Sequence, residues 1–104
     1  MKHEFKRRTI ELLDAHRIMA VATNRPDGWP QATVVGYAND GLIIYCVVSR
    51  DGQKFANITR DPRVSLAIAN DYPQPLQIKG LSIAARAVET TDPGEREHVQ
   101  EILL

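Results

Sequence analysis

Residues 42–69 read Leu-Ile-Ile-Tyr-Cys-Val-Val-Ser-Arg-Asp-Gly-Gln-Lys-Phe-Ala-Asn-Ile-Thr-Arg-Asp-Pro-Arg-Val-Ser-Leu-Ala-Ile-Ala, and they spell a strand, a short helix and a second strand in succession. The run 42–48 is β-branched and apolar on both faces, which predicts the central strand of a sheet. Ser49 to Gly52 breaks it, and residues 53–60 then place Phe55 and Ile58 at helical spacing until Asp61-Pro62 stops the helix. In residues 63–69, Val64, Leu66 and Ile68 alternate with small residues, a one-sided pattern suited to packing against a curved sheet.

Working outward, Asn39-Asp40-Gly41 supplies the positive-φ residues of a tight hairpin. Before it, residues 29–37 alternate with Gln31, Thr33, Val35 and Tyr37 on one face, and Pro26-Asp27-Gly28 marks a turn from a short apolar strand at 18–23. The first half is therefore expected to be a three-stranded antiparallel meander, preceded by a charged helix at 4–15 with a narrow apolar stripe. On the other side, Tyr72-Pro73-Gln74-Pro75 reads as a rigid loop and residues 76–88 as one long strand that bends at Gly80. Asp92-Pro93-Gly94-Glu95 has the chemistry of a helix start, with Val99, Ile102 and Leu103 on the apolar face that follows. That pattern is still running at Leu104, as expected of a shortened member of a longer family. Five antiparallel strands with a helix between the third and fourth predict a mainly β fold, a small antiparallel Greek-key split barrel with flanking helices, in one domain over residues 1–104.

Composition limits what such a barrel could do. The chain has 104 residues, 13 basic and 13 acidic side chains and one cysteine. At this size roughly two-thirds of the unfolded surface is buried, which argues for a ligand held at the surface or between subunits. Zero net charge speaks against a nucleic-acid partner and makes any anion recognition local. A single cysteine excludes an internal disulfide framework, and no apolar run suits a signal peptide or a membrane span, so the expected location is cytoplasmic, with no membrane partner.

The stretch from Tyr45 to Lys54 carries the candidate chemistry. A strand ends, Ser49 and Arg50 follow, and Gly52 opens a helix whose first turn bears Lys54. Free N–H groups at a helix start favour a phosphate, on which Ser49, Arg50 and Lys54 could converge. The plainer alternative is that Ser49 or Asp51 caps the helix while Arg50 and Lys54 are solvated. Cys46 shares its phase with Ile44 and Val48, the pattern of a small core residue. His3, His16 and His98 are far apart and read as surface residues, so no metal site is expected. Trp29 and Tyr37 could cover a planar ligand or pack across strands.

Residues 29–33 (Trp-Pro-Gln-Ala-Thr), 40–45 and 54–66, with the later Ile78-Lys79-Gly80, together resemble the pyridoxamine 5′-phosphate oxidase-like FMN-binding split-barrel family over nearly the whole chain. The resemblance implies FMN bound across the barrel at a homodimer interface, with its phosphate held by Ser49, Arg50 and Lys54. By position it places Val34, Val35, Tyr45, Cys46 and Val47 near the flavin ring. It implies a flavin-dependent oxidoreductase acting on a small-molecule substrate, and the absence of an evident acid, base or nucleophile fits, because the flavin carries the electrons. The spacing from Tyr45 to Lys54 is slightly longer than in the oxidase proper. The oxidases themselves also carry an arginine and a lysine on the second strand and a C-terminal substrate segment. Residues 31–37 have no basic side chain, so vitamin B6 phosphate is not the expected substrate. Relatives that bind F420 or haem leave those cofactors, or a non-catalytic flavin carrier, as alternatives. An oligonucleotide-binding barrel is the remaining rival, disfavoured by few strand aromatics and zero net charge.

Overall fold

Caps and breakers set the element boundaries, and burial of alternate residues sets the faces. The computed structural model describes residues 2–71, 73–77 and 79–103. The elements run α1 (His3–Ala15), β1 (Ile18–Asn24), β2 (Pro30–Gly36), β3 (Ala38–Asp40), β4 (Ile43–Tyr45), α2 (Gln53–Arg60), β5 (Arg63–Ala69), a 3-10 turn at Pro75–Gln77, β6 (Gly80–Arg86) and α3 (Pro93–Leu103). Tyr72, Ile78 and Leu104, assigned by sequence to a loop, a strand and a helix, lie outside the described residues. At the start of α3 the Asp92 carboxylate accepts the Glu95 N–H at 2.9 Å, as the Asp-Pro-Gly-Glu sequence requires. Both hairpin turns rest on glycine in the left-handed region, Gly28 at φ 85° and Gly41 at φ 59°.

Four strands pair antiparallel in the order β2-β1-β5-β6. Their inner face carries Met19 and Val21 from β1, then Val64, Leu66 and Ile68 from β5, and α1 closes over it with Leu13, 1% exposed. Burying a leucine this fully contributes about 1.5–3 kcal/mol. Leu81, Ile83 and Ala85 of β6 and Ile58 of α2 pack against the same cluster. The outer face of the sheet is different. One row across all four strands reads Val34, Ala20, Ala67, Ser82, and the next reads Ala32, Ala22, Ser65, Ala84. These side chains are small, and Val34 is 69% exposed.

Two expectations are corrected. The run 42–48 is not a central strand: only Ile43–Tyr45 is regular, and it pairs with β3 alone in a separate two-stranded sheet. The reason is a bend at Tyr37, whose N–H donates to Arg17 O (3.0 Å) and whose hydroxyl donates to Leu13 O (2.7 Å). Those bonds tie the chain to α1 and the start of β1, and the β3–β4 hairpin leaves the sheet there. The described strands therefore form a split arrangement that does not close into a single barrel. The second correction is that residues 76–88 are not one strand. Leu76 sits fully exposed in the 3-10 turn, and β6 begins only at Gly80, in unbroken register with β5. Gly80 is no bulge. A Cβ there would meet Ile68 O at 3.3 Å, so the glycine permits close approach of the two chains.

Candidate cofactor site

The stretch that leaves β4 runs straight into the start of α2. Gly52 N–H donates to Ser49 O at 3.1 Å, closing a turn, and the Asp51 N–H points to Ser49 Oγ at 3.4 Å. Neither Ser49 nor Asp51 caps the helix: Gly52 occupies the N-cap position and no side chain bonds the first turn. The capping alternative read from sequence is therefore absent, and the N–H groups of the first turn remain open. Lys54 lies on that turn, half-buried, and close enough to Cys46 to lower its thiol pKa. Burial raises that pKa by more, so the net direction is up. No ion pair engages Lys54 among the described residues.

The remaining candidates divide. Arg50 lies in the same turn, but its guanidinium is bonded to Glu89. Tyr45 is buried and donates its hydroxyl to Glu95 Oε2 at 2.7 Å, which pushes its pKa up to about 12. Cys46 is half-buried against the core, as its phase suggests, while Val47 is 78% exposed. Val34 and Val35 project from opposite faces of β2, the first outward and the second into the core, so their side chains cannot both face one ring. Trp29 is 70% exposed, and Tyr37 is buried with its hydroxyl engaged. Two open clefts of about 480 and 440 Å³ share Arg17, Tyr37 and Leu103, and of the residues placed near the flavin or its phosphate Val47 alone borders either. The start of α2 is open, with Ser49 and Arg50 exposed.

Sequence reading missed the group that seats α2. Asn57 is fully buried; its amide donates to Thr23 Oγ1 at 3.0 Å and to Gln31 Oε1 at 3.2 Å, and it accepts from Gln53 Nε2 at 2.7 Å. A signal was available, because asparagine is a poor interior helix residue and Asn57 adjoins Ile58 on the packed side. At the far end of α2, Arg60 donates to Asn24 O at 2.5 Å. Asp61 accepts from Asn24 and from the backbone and guanidinium of Arg63, and the Arg63 bonds above all hold its carboxyl well below the usual range. Lys54 is thus carried on a helix fixed at its middle and at its C-terminal end.

An antiparallel sheet with a bare outer face and a split-off hairpin defines a small split-barrel protein, whose α2 starts uncapped beside hydroxyl, guanidinium and ammonium groups. Residues 5–103 match the family described as pyridoxamine 5′-phosphate oxidase, and the chain belongs to that family. It is 27% identical over 70 residues to General stress protein 26 of Bacillus subtilis, a match spanning 67% of this chain and 49% of that protein. The chain thus aligns with about half the length of this curated relative. Among solved structures, the conserved hypothetical protein Rv2991 of Mycobacterium tuberculosis superposes with a TM-score of 0.84 at 28% identity, over 99% of this chain and 62% of that one. A heme-binding protein of Mycobacterium smegmatis gives 0.77 at 26% identity, over 93% and 40% of the two chains. Proteins described as an F420 reductase and as FAD-binding, the latter from Mesorhizobium loti, share the fold. The fold is thus common to proteins described as heme-binding, FAD-binding and an F420 reductase.

Proposed function

We propose that this protein is a cytoplasmic FMN-binding oxidoreductase that works as a homodimer on a small-molecule substrate. The observation that carries the reading is the uncapped start of α2, where Ser49, Arg50 and Lys54 accompany open backbone N–H groups directly after Tyr45, Cys46 and Val47. This donor set fits a phosphate monoester: the N–H groups and the positive end of the helix dipole favour an anion, and the two cations add charge-assisted bonds. It fits haem less well, since the one soft ligand nearby, Cys46, is half-buried with its thiol pKa raised. Bound FMN would supply two-electron chemistry, while the chain holds the phosphate and presents one face of the ring.

The homodimer is supported by the bare outer face of the sheet. Rows of alanine, serine and valine allow close approach of a second sheet, and Val34 and Ile18 leave apolar surface that a second copy would remove from water. A partner would also wall in a cradle that is open in the single chain. No helix among the described residues is long and apolar enough to cross a membrane.

Flavin fluorescence titration tests the reading. FMN is expected to saturate the protein at micromolar concentration, and Lys54→Ala should weaken FMN about ten-fold, the loss of one charged hydrogen bond, with riboflavin unchanged. No saturable FMN binding, or equal losses for both ligands, would overturn it. The second reading, F420 or haem, is favoured by the F420 reductase and heme-binding relatives. A visible spectrum after addition of each cofactor separates the readings.

A further inference from the structure

Residues 89–98 cross the β3–β4 hairpin and the turn after it through polar contacts. His98 Nε2 meets Asp40 Oδ2 at 2.9 Å, Glu95 Oε2 accepts from Tyr45, and Glu89 pairs with Arg50. The three pairs run in reverse chain order, so the segment lies antiparallel to residues 40–50. None of the described residues of α3 is buried. The first two contacts fix the segment and deliver the third.

We infer that Glu89 is an internal anion that competes with the cofactor's phosphate for Arg50. This rests on the phosphate role given to Arg50 above. A guanidinium fork can chelate one carboxylate or one phosphate face at a time. Phosphate carries about −1.5 to −2 charge against −1 for the carboxylate. The contact shown for Glu89 is with Arg50, whereas phosphate has oxygens left to accept from Ser49, Lys54 and the open helix N–H groups. It therefore displaces Glu89, and FMN affinity is lowered by the strength of the pair it breaks. Both partners are substantially exposed, 68% and 42%, so that strength corresponds to about two- to five-fold in affinity.

The test is a cycle of FMN and riboflavin titrations on the full chain with Glu89→Gln, Arg50→Ala and the double variant. Glu97→Gln, an exposed change on the neighbouring α3, serves as a charge control. The expected result is FMN bound about two- to five-fold tighter by Glu89→Gln, no change for riboflavin, and no gain from Glu89→Gln once Arg50 is alanine. An unchanged or weaker FMN affinity in Glu89→Gln overturns the inference. So does a gain of equal size in Glu97→Gln or in the Arg50→Ala background, since either assigns the effect to net charge. A wild-type protein that binds FMN while Glu89→Gln binds it no tighter removes this inference alone; a wild-type protein that binds no FMN removes the functional reading as well.

Discussion

Replacing Asn57 with alanine tests whether one buried amide seats the helix that carries Lys54. The change removes two donors and one acceptor. Thr23, 1% exposed, has no access to water, so losing its partner costs about 1–3 kcal/mol. Gln31 is half-buried and loses a bond worth about 0.5–1.5 kcal/mol. Gln53 is exposed and rehydrates at little cost. Alanine's better helix propensity returns about 0.5 kcal/mol. The expected destabilisation is about 1–4 kcal/mol, a fall in Tm of about 5–20 °C for a domain of this size. Urea unfolding followed by circular dichroism at a fixed protein concentration measures it, concentration mattering because self-association would add to stability. Thr23→Val keeps the shape and removes the hydroxyl, so combined with Asn57→Ala it should show a coupling of about 1 kcal/mol. A loss below about 0.5 kcal/mol in Asn57→Ala, or strictly additive variants, would refute the proposal that this amide holds α2 on the sheet.

Two pH effects follow from the charged contacts. The Asp61 carboxyl is held below its ordinary value of 3.8, so the stabilisation it gives is present above that value and is lost as the pH falls toward the folded pKa. Asp61→Asn should therefore lose less stability than wild type between about pH 5 and 3; parallel urea midpoints across that range would contradict the assignment. Tyr45 is shifted the other way, from 10.0 up to about 12 by its bond to Glu95, so that contribution is complete below pH 10 and fades as the phenol ionises. Burial also raises Tyr37, so tyrosinate absorbance should show both titrating late in wild type and Tyr45 alone moving nearer its ordinary value in Glu95→Gln, and identical curves would mean that the bond does not form in solution.

Signals confined to one turn were legible in the chain. Residues 53–60 and 63–69 match α2 and β5, because Gly52 and Asp61-Pro62 act on the backbone next to them. Asp92 and Pro93 likewise set the start of α3. The strand at 42–48 was misjudged because its apolar residues fit a central strand and an exposed hairpin edge equally well. Its neighbour is decided by the bend at Tyr37, which depends on Leu13 and Arg17. The candidate site divides in the same way. Ser49, Arg50 and Lys54 lie close together in the chain and read as one group, whereas Glu89, which pairs with Arg50, and Thr23 and Gln31, which bond Asn57 of α2, are distant.

What the sequence determined by itself is the three helices in their order, the breakers around α2, the start of α3, the family and the grouping of Ser49, Arg50 and Lys54, all carried by residues a few positions apart. Only the tertiary structure decided that Asn57 bonds Thr23 across 34 residues, that Arg50 meets Glu89 across 39 and that Tyr45 meets Glu95 across 50. Propensity and local backbone chemistry act over a single turn. A hydrogen bond or ion pair between remote residues exists only once burial of Leu13, Val21 and Leu66 has folded the sheet and brought their segments together.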